Sequence, residues 1–440
     1  SNDTLNTPAM QALYGWAWDP AKPGGFSDTS DFMVTTMNGQ TVNQSIPFYQ
    51  NFSFMVEVDV ENAVAIRKNY NMGRYAHEGG FVMDDRKTVY LTDDASSGSV
   101  FFKFVADVAE DFSQGQLYAY QQGAGGNGGS WLPMTMNMNN FLNTRDSALA
   151  LGATIFMRLE WVEGVDGKIY ITETGRGKQF DVTGAISAGG SLAHHLAQMD
   201  AADGNAAGMT DDLYGRVLQF DPTTNNMIVF LEGGDGNGVN SGMDTTGNHL
   251  GSPDGLASTE INGVKWLVIN EDMNPSGSPA NPASWGSKMN EIYFLDITDG
   301  MPKNVSDLKR FAVGPKGCET TGGRFTPDGM TYFVNIQHPS TSGTVAPFDH
   351  SVTLAITGFE DYLANLSTPE WNNEDNFMVY PNPATRTVYM NQTTDIAIYD
   401  LNGRRILVQR NVNQFDISNL QAGTYFLTTA EGQTKKLIVQ

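Results

Sequence analysis

The sequence predicts an all-β protein, on the evidence of its composition and of a recurring strand pattern. The chain of 440 residues contains 47 glycines and 18 prolines, while charged residues make up only 17%. This composition, together with 11% aromatic residues, favours many short strands joined by loops over long helices. The chain is long enough for one large domain or several ordinary ones, each with its own core.

The charge distribution divides the chain near residue 370. There are 26 Lys and Arg against 49 Asp and Glu, which gives a formal net charge of -23. From Trp371 onward, six basic and six acidic residues cancel, so the first region carries the whole net charge. We predict one domain over residues 1–370 and a second over 375–440. The acidity opposes binding to nucleic acid or to an anionic membrane and favours a multivalent cation as partner.

Four stretches of the acidic region share a pattern of turn, β-rich run, and then carboxylate or amide. They are DDRKTVYLTDD (84–94), VDGKIYITETG (165–175), INGVKWLVINED (261–272) and PDGMTYFVNIQHP (327–339). Three of them are followed by a further strand-like run: GSVFFKFVAD (98–107), YGRVLQFDP (214–222) and NEIYFLDITDG (290–300). Equivalent sheets arranged radially form a β-propeller, which leaves a central channel. We therefore predict a β-propeller.

Long insertions explain the irregular spacing of these units. The segments 121–131, 232–244 and 274–287 are rich in Gly, Asn, Ser and Pro and predict loops. One helix is predicted within an insertion, over SLAHHLAQMDA (191–201).

The C-terminal segment has a different pattern. MVYPNPA, IAIYDLNGRRIL, FDISNLQAGTYFLTT and TKKLIVQ are short alternating strands separated by Asn-Gly and Ala-Gly turns, which predicts a small antiparallel β-sandwich. In this order they closely resemble the C-terminal sorting domains of type IX secretion substrates. The resemblance is carried by Tyr380, Pro381, Asn382, Pro383, Asp400, Gly403, Arg404, Leu420, Gly423 and Tyr425. It implies the type IX translocon as a partner and export to the cell surface or the medium.

The sequence contains no pattern of a signal peptide or of a membrane span. The chain opens with SNDTLNTPAM, which has no charged n-region or apolar h-region, so any signal peptide is expected to have been removed. The most apolar window, 148–157, stops at Arg158 and is too short for a bilayer, which needs roughly 20 residues. We expect no membrane span.

Carboxylates recur at the ends of the equivalent strands. Because equivalent strands of a propeller point the same way, we expect these side chains to converge on the channel mouth. Carboxylates that lie so close together repel one another unless hard cations such as calcium, or iron, neutralise them. The alternative is that they form hydrogen bonds to neighbouring blades. The predicted metal ligands are Glu78, Asp93, Asp94, Glu173, Glu271, Asp272 and Glu319.

Two stretches resemble the signature of the PhoX-type alkaline phosphatases: CETTGGRFTPDGMTYFVNIQHPS (318–340) and GRYAHEGGFVMDDRKTVYLTDD (73–94). The similarity extends over roughly residues 50–345. It implies a propeller that holds a calcium and iron cluster and hydrolyses phosphate monoesters, with phosphorylated small molecules as substrates. By position it implies cluster ligands at Glu78, Asp93, Glu271 and Glu319, with Glu173 as a further candidate.

The chain departs from this family in its cysteines. The family holds iron partly through a Cys-Glu-Glu motif near the start of the fold, and no such motif occurs between Ser1 and Gly73. This departure weakens the case for iron and indicates either a missing N-terminal part of the fold or a changed metal centre. Cys318, the only thiol, is either a ligand or, as free Cys usually is, a buried filler.

Arg176 and Arg324 are the cations nearest the motifs and could clamp a phosphate oxygen, although each could instead form an ordinary salt bridge. His77 and His338 belong to the motifs, but a histidine at a strand end is more often a structural donor than a ligand.

Three functions remain open at the level of sequence. The first is a secreted, metal-dependent phosphomonoesterase. The second is a calcium-stabilised propeller that binds a ligand or a surface partner without turnover. The third is a calcium-dependent hydrolase of the lactonase or phosphotriesterase kind, with a carboxylate base. Activity on a generic phosphate monoester separates the first from the others.

Overall fold

The computed structural model divides the chain into two compact units, Ser1–Ala364 and Asn365–Gln440. It describes residues 31–95, 98–181, 191–192, 209–212, 214–234, 249–273, 289–341, 344–359, 377–400, 404–430 and 434–440. The predicted loops at 232–244 and 274–287 lie largely outside these ranges.

Two hairpins open the described part of the first unit. The first turns at Asn38 and Gly39, both with positive φ of 49° and 73°, as the two-residue turn of an Asn-Gly hairpin requires. The Asn38 side chain accepts a hydrogen bond from the Gly115 backbone N–H at 2.8 Å, which ties the hairpin to the first blade. The strands are β1 (Asp31–Met37), β2 (Gln40–Pro47), β3 (Met55–Asp59) and β4 (Val64–Asn69).

The first blade is a five-stranded antiparallel sheet with sequential strand order. Its aromatic and β-branched side chains, such as Phe101, Phe102 and Phe104, are fully buried in the largest core. The strands are β5 (His77–Val82), β6 (Thr88–Asp93), β7 (Phe101–Val108), β8 (Asp111–Gln122) and β9 (Gly129–Pro133). Two short helices and one short strand follow: α1 (Met138–Leu142), α2 (Thr144–Ala150) and β10 (Thr154–Ile155).

The second blade is four-stranded and contains an insertion. Its first hairpin turns at Asp166 and Gly167, again with positive φ of 51° and 72°. In chain order the strands are β11 (Leu159–Val165), β12 (Lys168–Glu173), β13 (Arg176–Asp181), β14 (Ser191–Leu192), β15 (Met209–Asp212), β16 (Arg216–Asp221) and β17 (Asn226–Glu232). Within the insertion β13 pairs with β15, and β14 pairs with β10. Ser191 and Leu192 are therefore in a strand where a helix was predicted, and residues 193–201 lie outside the described ranges.

The third and fourth blades continue the same plan, with four and three strands. The first hairpin of the third blade turns at Asn262 and Gly263, with φ of 55° and 78°. The strands are β18 (Pro253–Ile261), β19 (Val264–Glu271), β20 (Glu291–Asp296), β21 (Lys309–Val313), β22 (Glu319–Phe325), β23 (Thr331–Gln337) and β24 (Val352–Thr357).

The first strands of the four blades lie side by side in the order β5, β11, β18, β22. Buried polar side chains join each blade to the next. The Thr92 hydroxyl donates to the Glu160 carbonyl, and the equivalent Thr172 hydroxyl donates to the Asp254 carbonyl at 2.5 Å. In the third blade the Asn270 amide donates to the Gly322 carbonyl at 3.1 Å. This arrangement confirms the predicted all-β propeller class.

The second unit contains five antiparallel strands around its own core, which includes Val388, Ile398, Leu427 and Leu437. Hydrogen bonds join the strands into one sheet, in which the long central strand is interrupted by bulges. The strands are β25 (Val379–Tyr380), β26 (Thr387–Tyr399), β27 (Arg405–Asp416), β28 (Gly423–Thr429) and β29 (Thr434–Val439). Among the described residues, no helix is both long and apolar enough to cross a membrane.

Candidate metal centre

A β-bulge occurs at the same place in the first strand of three blades. In the first blade, His77 lies opposite Asp93 while Gly80 lies opposite Leu91, so one extra residue is accommodated between the two pairs. The second and third blades show the same shift, after Leu159 and after Pro253. Bulges of this kind re-aim side chains and are common beside active sites. The bulged segments contain Glu78, Glu160 and Asp254.

Six carboxylates meet at this level of the channel. Carboxylate oxygens of Glu78, Asp94 and Glu160 lie within 4.8 Å of one another. The other three interact electrostatically with members of this group, and Asp254 shares a hydrogen bond with Glu319. We call the set the inner carboxylates: Glu78, Asp94, Glu160, Asp254, Asp272 and Glu319.

Burial and mutual repulsion disfavour ionisation of four of the six inner carboxylates. Burial, followed by the charge of Asp94, raises the pKa of Glu78 to about 7, although this side chain is open to solvent in the channel. Burial, followed by the charge of Glu319, raises the pKa of Asp272 to about 7. The pKa values of Glu160 and Asp254 also lie well above their usual range, chiefly because both side chains are buried.

Arg158 is the guanidinium placed among these acids. Its Nε donates to Asp94 Oδ1 at 2.9 Å, and its Nη2 donates to Glu160 Oε1 at 2.6 Å. Burial lowers the pKa of Arg158, but the charges of Glu160 and Asp94 outweigh it and raise the pKa above the usual range. The residue has a φ of 62°, a left-handed conformation that is uncommon for a side chain of this size and recurs at functional sites.

In the fourth blade, Glu319 is contacted by two side chains from the end of the neighbouring strand β23. Gln337 Nε2 donates to Glu319 Oε2 at 2.6 Å, and His338 Nε2 lies 3.3 Å from the same oxygen. His338 also has a left-handed φ of 38°, and its backbone N–H donates to Ser351 Oγ at 2.9 Å. The His338 side chain is 62% exposed.

Three of the predicted ligands lie elsewhere. Glu173 accepts hydrogen bonds from the Met157 backbone N–H and from Arg216 Nη1, both at 2.6 Å. Glu271 accepts from the backbone N–H groups of Gly251 at 2.8 Å and Glu291 at 2.9 Å. These two carboxylates hold the chain within their own blades through these hydrogen bonds. With Asp93, which accepts from the Ala76 backbone N–H at 3.2 Å, we call them the outer carboxylates; all three are 0% exposed.

Neither of the two arginines predicted to clamp a phosphate is seen among the inner carboxylates. Arg324 Nη1 pairs with Glu163 Oε2 at 3.1 Å. It lies five residues beyond Glu319 on β22, about 16 Å along the strand, so the structure does not bring it to the inner carboxylates. Arg176 begins β13 opposite Asp212, and its side chain is outside the described part of the chain.

Sequence reasoning missed Glu160, Asp254 and Arg158. The prediction used only the acidic ends of the second strands, together with Glu78 and Glu319. A signal was present one strand upstream, where Glu160 and Asp254 are the second residues of the first strands of their blades, as Glu78 is. Arg158 ends the most apolar window of the chain.

Cys318 is buried, and burial raises the pKa of its thiol to about 11. In the metal-free chain it is therefore a neutral thiol at physiological pH. The side chains around the channel offer carboxylate oxygens, which are the ligands that hard cations such as calcium prefer. Among the described residues, six carboxylates surround one guanidinium, and added positive charge would relieve their repulsion, so the residues fit a site for cations.

The family model described as alkaline phosphatase PhoX matches residues 17–340. This chain belongs to the PhoX family. A solved structure of Pseudomonas fluorescens PhoX, in complex with vanadate as a transition-state analogue, matches with a TM-score of 0.53 and 24% identity. The alignment covers 71% of this chain and 58% of that one, so the chain spans little more than half of that PhoX protein.

Other structures match with lower scores. An endo-arabinase from Bacteroides thetaiotaomicron has a TM-score of 0.30 at 11% identity, over 84% of this chain and 95% of its own. A calcium-binding regucalcin from Agrobacterium tumefaciens has a TM-score of 0.26 at 12% identity, over 84% and 92%. No curated protein matches the chain.

Residues 378–440 match the model of the secretion system C-terminal sorting domain, as the sequence predicted. The protein is accordingly one that is secreted or displayed at the cell surface.

Proposed function

We propose that this PhoX-family protein is a metal-dependent phosphatase that hydrolyses phosphate monoesters at the inner carboxylates. The observation that carries the proposal is the convergence of six carboxylates from four blades around one arginine. Family membership supports the reaction class, and the acidity of the site supports its dependence on cations.

The inner carboxylates would hold calcium, and iron if the centre contains it, through oxygen atoms alone. Glu78, Glu160 and Asp254 would contribute from the bulged first strands, while Asp94 and Asp272 would contribute from the ends of the second strands. Any iron would be held by these oxygens as well. When bound, such cations polarise phosphoryl oxygens and lower the pKa of coordinated water.

Arg158 is the side chain that would bind the phosphate directly. A phosphate approaching six carboxylates is repelled, and a guanidinium among them offers both charge and directed N–H donors. The two hydrogen bonds from Arg158 to Asp94 and Glu160 orient it. In this proposal Arg158 takes the role predicted for Arg324, while Arg176 stays a candidate. Gln337 and His338 would act as positioning residues for Glu319.

The test is hydrolysis of p-nitrophenyl phosphate by the purified full chain, loaded with calcium alone or with calcium and iron. We expect activity that a chelator abolishes and that metal restores. Glu160→Gln should lower kcat/KM by at least about a hundredfold, because a charge needed at the metal centre is lost. Glu260 is an exposed glutamate on β18 of the same propeller. Glu260→Gln is therefore the matched control and should behave as wild type.

A lactone and a phosphotriester serve as contrasting substrates. Turnover of either without turnover of the monoester would contradict the proposal and favour the lactonase or phosphotriesterase alternative. Binding of metal without turnover of any of the three would favour the non-catalytic calcium-binding propeller.

We also propose that the second unit is the part recognised by the type IX translocon. Removal of residues 378–440 should leave the first unit inside the cell, as judged by its content in the cell and medium fractions. Normal secretion of the truncated protein would contradict this role.

A further inference from the structure

The fourth blade ends in an edge strand that has a partner on one side only. The second and third blades each contain four hydrogen-bonded strands, whereas β22, β23 and β24 are the strands described in the fourth. Among the described residues, β24 (Val352–Thr357) pairs with β23 alone, so backbone N–H and C=O groups along its outer edge face no strand. Open edges of this kind are templates for a further strand.

The outer strands of the other blades carry features that discourage such pairing. β9 ends in Pro133, and β17 and β21 each contain a bulge, at Phe230 and at Phe311. β21 also begins with Lys309 and Arg310. Prolines, bulges and charged residues protect sheet edges from other chains. β24 has none of these, because its sequence VTLAIT is uncharged and its register with β23 is unbroken.

A groove with apolar walls lies beside this edge, between the third and fourth blades. Its volume is about 280 Å³, and both edge strands line it, β21 through Val313 and β24 through Leu354 and Ile356. Thr320 supplies the one polar side chain of the lining. Its Oγ1 already donates to the Glu271 carbonyl at 3.1 Å and accepts from the Glu271 N–H at 3.2 Å. The groove therefore suits apolar side chains rather than a polar ligand.

Two lysines flank the β21 side of the groove. Residues 312–315 line it, Lys309 begins β21 before them, and Lys316 follows directly after them. Both residues are exposed, and neither forms an ion pair with a described residue. In a chain with a formal net charge of -23, this exposed basic pair favours acidic residues on a partner.

We infer that the fourth blade binds an extended peptide segment of another protein, which adds a strand to β24. The main chain of the peptide would pair with the open edge, and its alternate aliphatic side chains would enter the groove, because successive side chains of a strand point to opposite faces. Acidic residues at its ends would lie near Lys309 and Lys316. The inference does not depend on the proposed phosphatase activity, because it concerns peptide binding alone.

The experiment measures peptide binding to the full chain by fluorescence anisotropy. The probe is a labelled synthetic peptide in which Val, Leu and Ile alternate with Thr between terminal glutamates. One comparison peptide has a proline at its centre, and another has terminal lysines in place of the glutamates.

The variants change the groove and the edge separately. Val313→Asp places a charge on the groove wall, and Ala355→Lys places one on an exposed position of β24. Val313 is 54% exposed, and Val108, on β7 of the first blade, is 62% exposed. Val108→Asp is therefore the matched control.

We expect wild type and Val108→Asp to bind the glutamate peptide equally well. The affinity should fall at least about tenfold in Val313→Asp and Ala355→Lys. The proline peptide should bind wild type as weakly, because proline has no backbone N–H to donate. Replacing both lysines, by Lys309→Glu with Lys316→Glu, should weaken binding of the glutamate peptide and strengthen binding of the lysine peptide.

Equal affinity of the glutamate peptide for wild type, Val313→Asp and Ala355→Lys would overturn the inference, as would the absence of binding to wild type, because the edge would then be unavailable to a partner. Dimerisation of wild type that Ala355→Lys abolishes would also overturn it, since the added strand would then come from a second copy of the chain. Circular dichroism and the melting temperature report that each variant is folded.

Discussion

The inner and outer carboxylates are neighbours along the chain, yet their surroundings are opposite. Asp93 and Asp94 are consecutive, as are Glu271 and Asp272. Successive residues at a strand end point in opposite directions, so one carboxylate of each pair turns into its blade and the other turns into the channel. The comparison teaches that a run of acids at a strand end can combine a structural group with a candidate functional group.

Their partners differ in kind. The outer carboxylates accept hydrogen bonds from backbone N–H groups, and Glu173 has the buried Arg216 as well. The inner carboxylates face one another, and the pKa values of Glu78 and Asp272 are raised by burial and by like charge. Glu173 and Glu271 of the outer group therefore stabilise the metal-free fold, whereas the inner group destabilises it until cations bind.

Breaking the outer group should give the largest effect on stability. Glu173→Gln leaves Arg216, which is 1% exposed, without its closest carboxylate. Removal of one partner from a buried ion pair typically costs about 3 to 5 kcal/mol, and we expect a loss of this size in urea denaturation with calcium present. Glu160→Gln should not lower the stability of the metal-free protein. A larger loss for Glu160→Gln than for Glu173→Gln, in chelator, would reverse the comparison.

Removing the metal should give the next largest effect. Calcium at a hundred times its dissociation constant stabilises a one-site protein by about 2.7 kcal/mol, so chelator should lower the melting temperature of wild type. The shift should be absent or much smaller in Asp254→Asn, because an inner ligand is lost. A full calcium shift in Asp254→Asn would exclude that residue from the site.

The pH dependence sharpens the same contrast. The pKa of Asp272 is about 7 in the folded chain against about 4 when unfolded. A raised carboxylate pKa means that the folded state holds protons more tightly, so this contribution to stability is full below about pH 4 and is lost as pH rises through 7. The stability of metal-free protein should therefore fall between pH 5 and 8, and calcium should reduce the fall. A metal-free stability that rises over this range would contradict the assigned repulsion.

Changes at the two arginines should give the smallest effects on stability and should separate their roles. Arg324 is 70% exposed on its side chain, so Arg324→Gln should cost less than about 1 kcal/mol and leave inhibition by vanadate unchanged. Arg158→Gln should weaken that inhibition at least about tenfold. Equal vanadate affinity in the two variants would remove Arg158 from the proposed phosphate site.

Much of the fold could be predicted from the sequence, because its signals are local. The Asp-Gly and Asn-Gly turns at 166–167 and 262–263 fix two-residue hairpins, and the strand runs around them alternate as a propeller requires. The helix predicted from residue 191 onward is wrong at Ser191 and Leu192. These residues pair with the distant β10, and such a pairing leaves no local pattern in the sequence.

The candidate site was predictable only in part. Glu78, Asp94, Asp272 and Glu319 stand out as acids next to strand ends, and the structure brings them together. Which member of an adjacent acidic pair faces the channel depends on the strand register, so the sequence could not separate Asp93 from Asp94. Glu160 reaches the channel through a bulge, and bulges are set by pairing with the neighbouring strand.

The most direct test of the account is the number of calcium ions bound per chain, measured by equilibrium dialysis in wild type, Glu160→Gln and Glu271→Gln. If the inner carboxylates are the metal centre, Glu160→Gln binds fewer ions than wild type, while the Glu271→Gln protein that remains folded binds the same number. Loss of calcium in Glu271→Gln alone, with Glu160→Gln unchanged, would place the metal at the outer carboxylates and contradict the account.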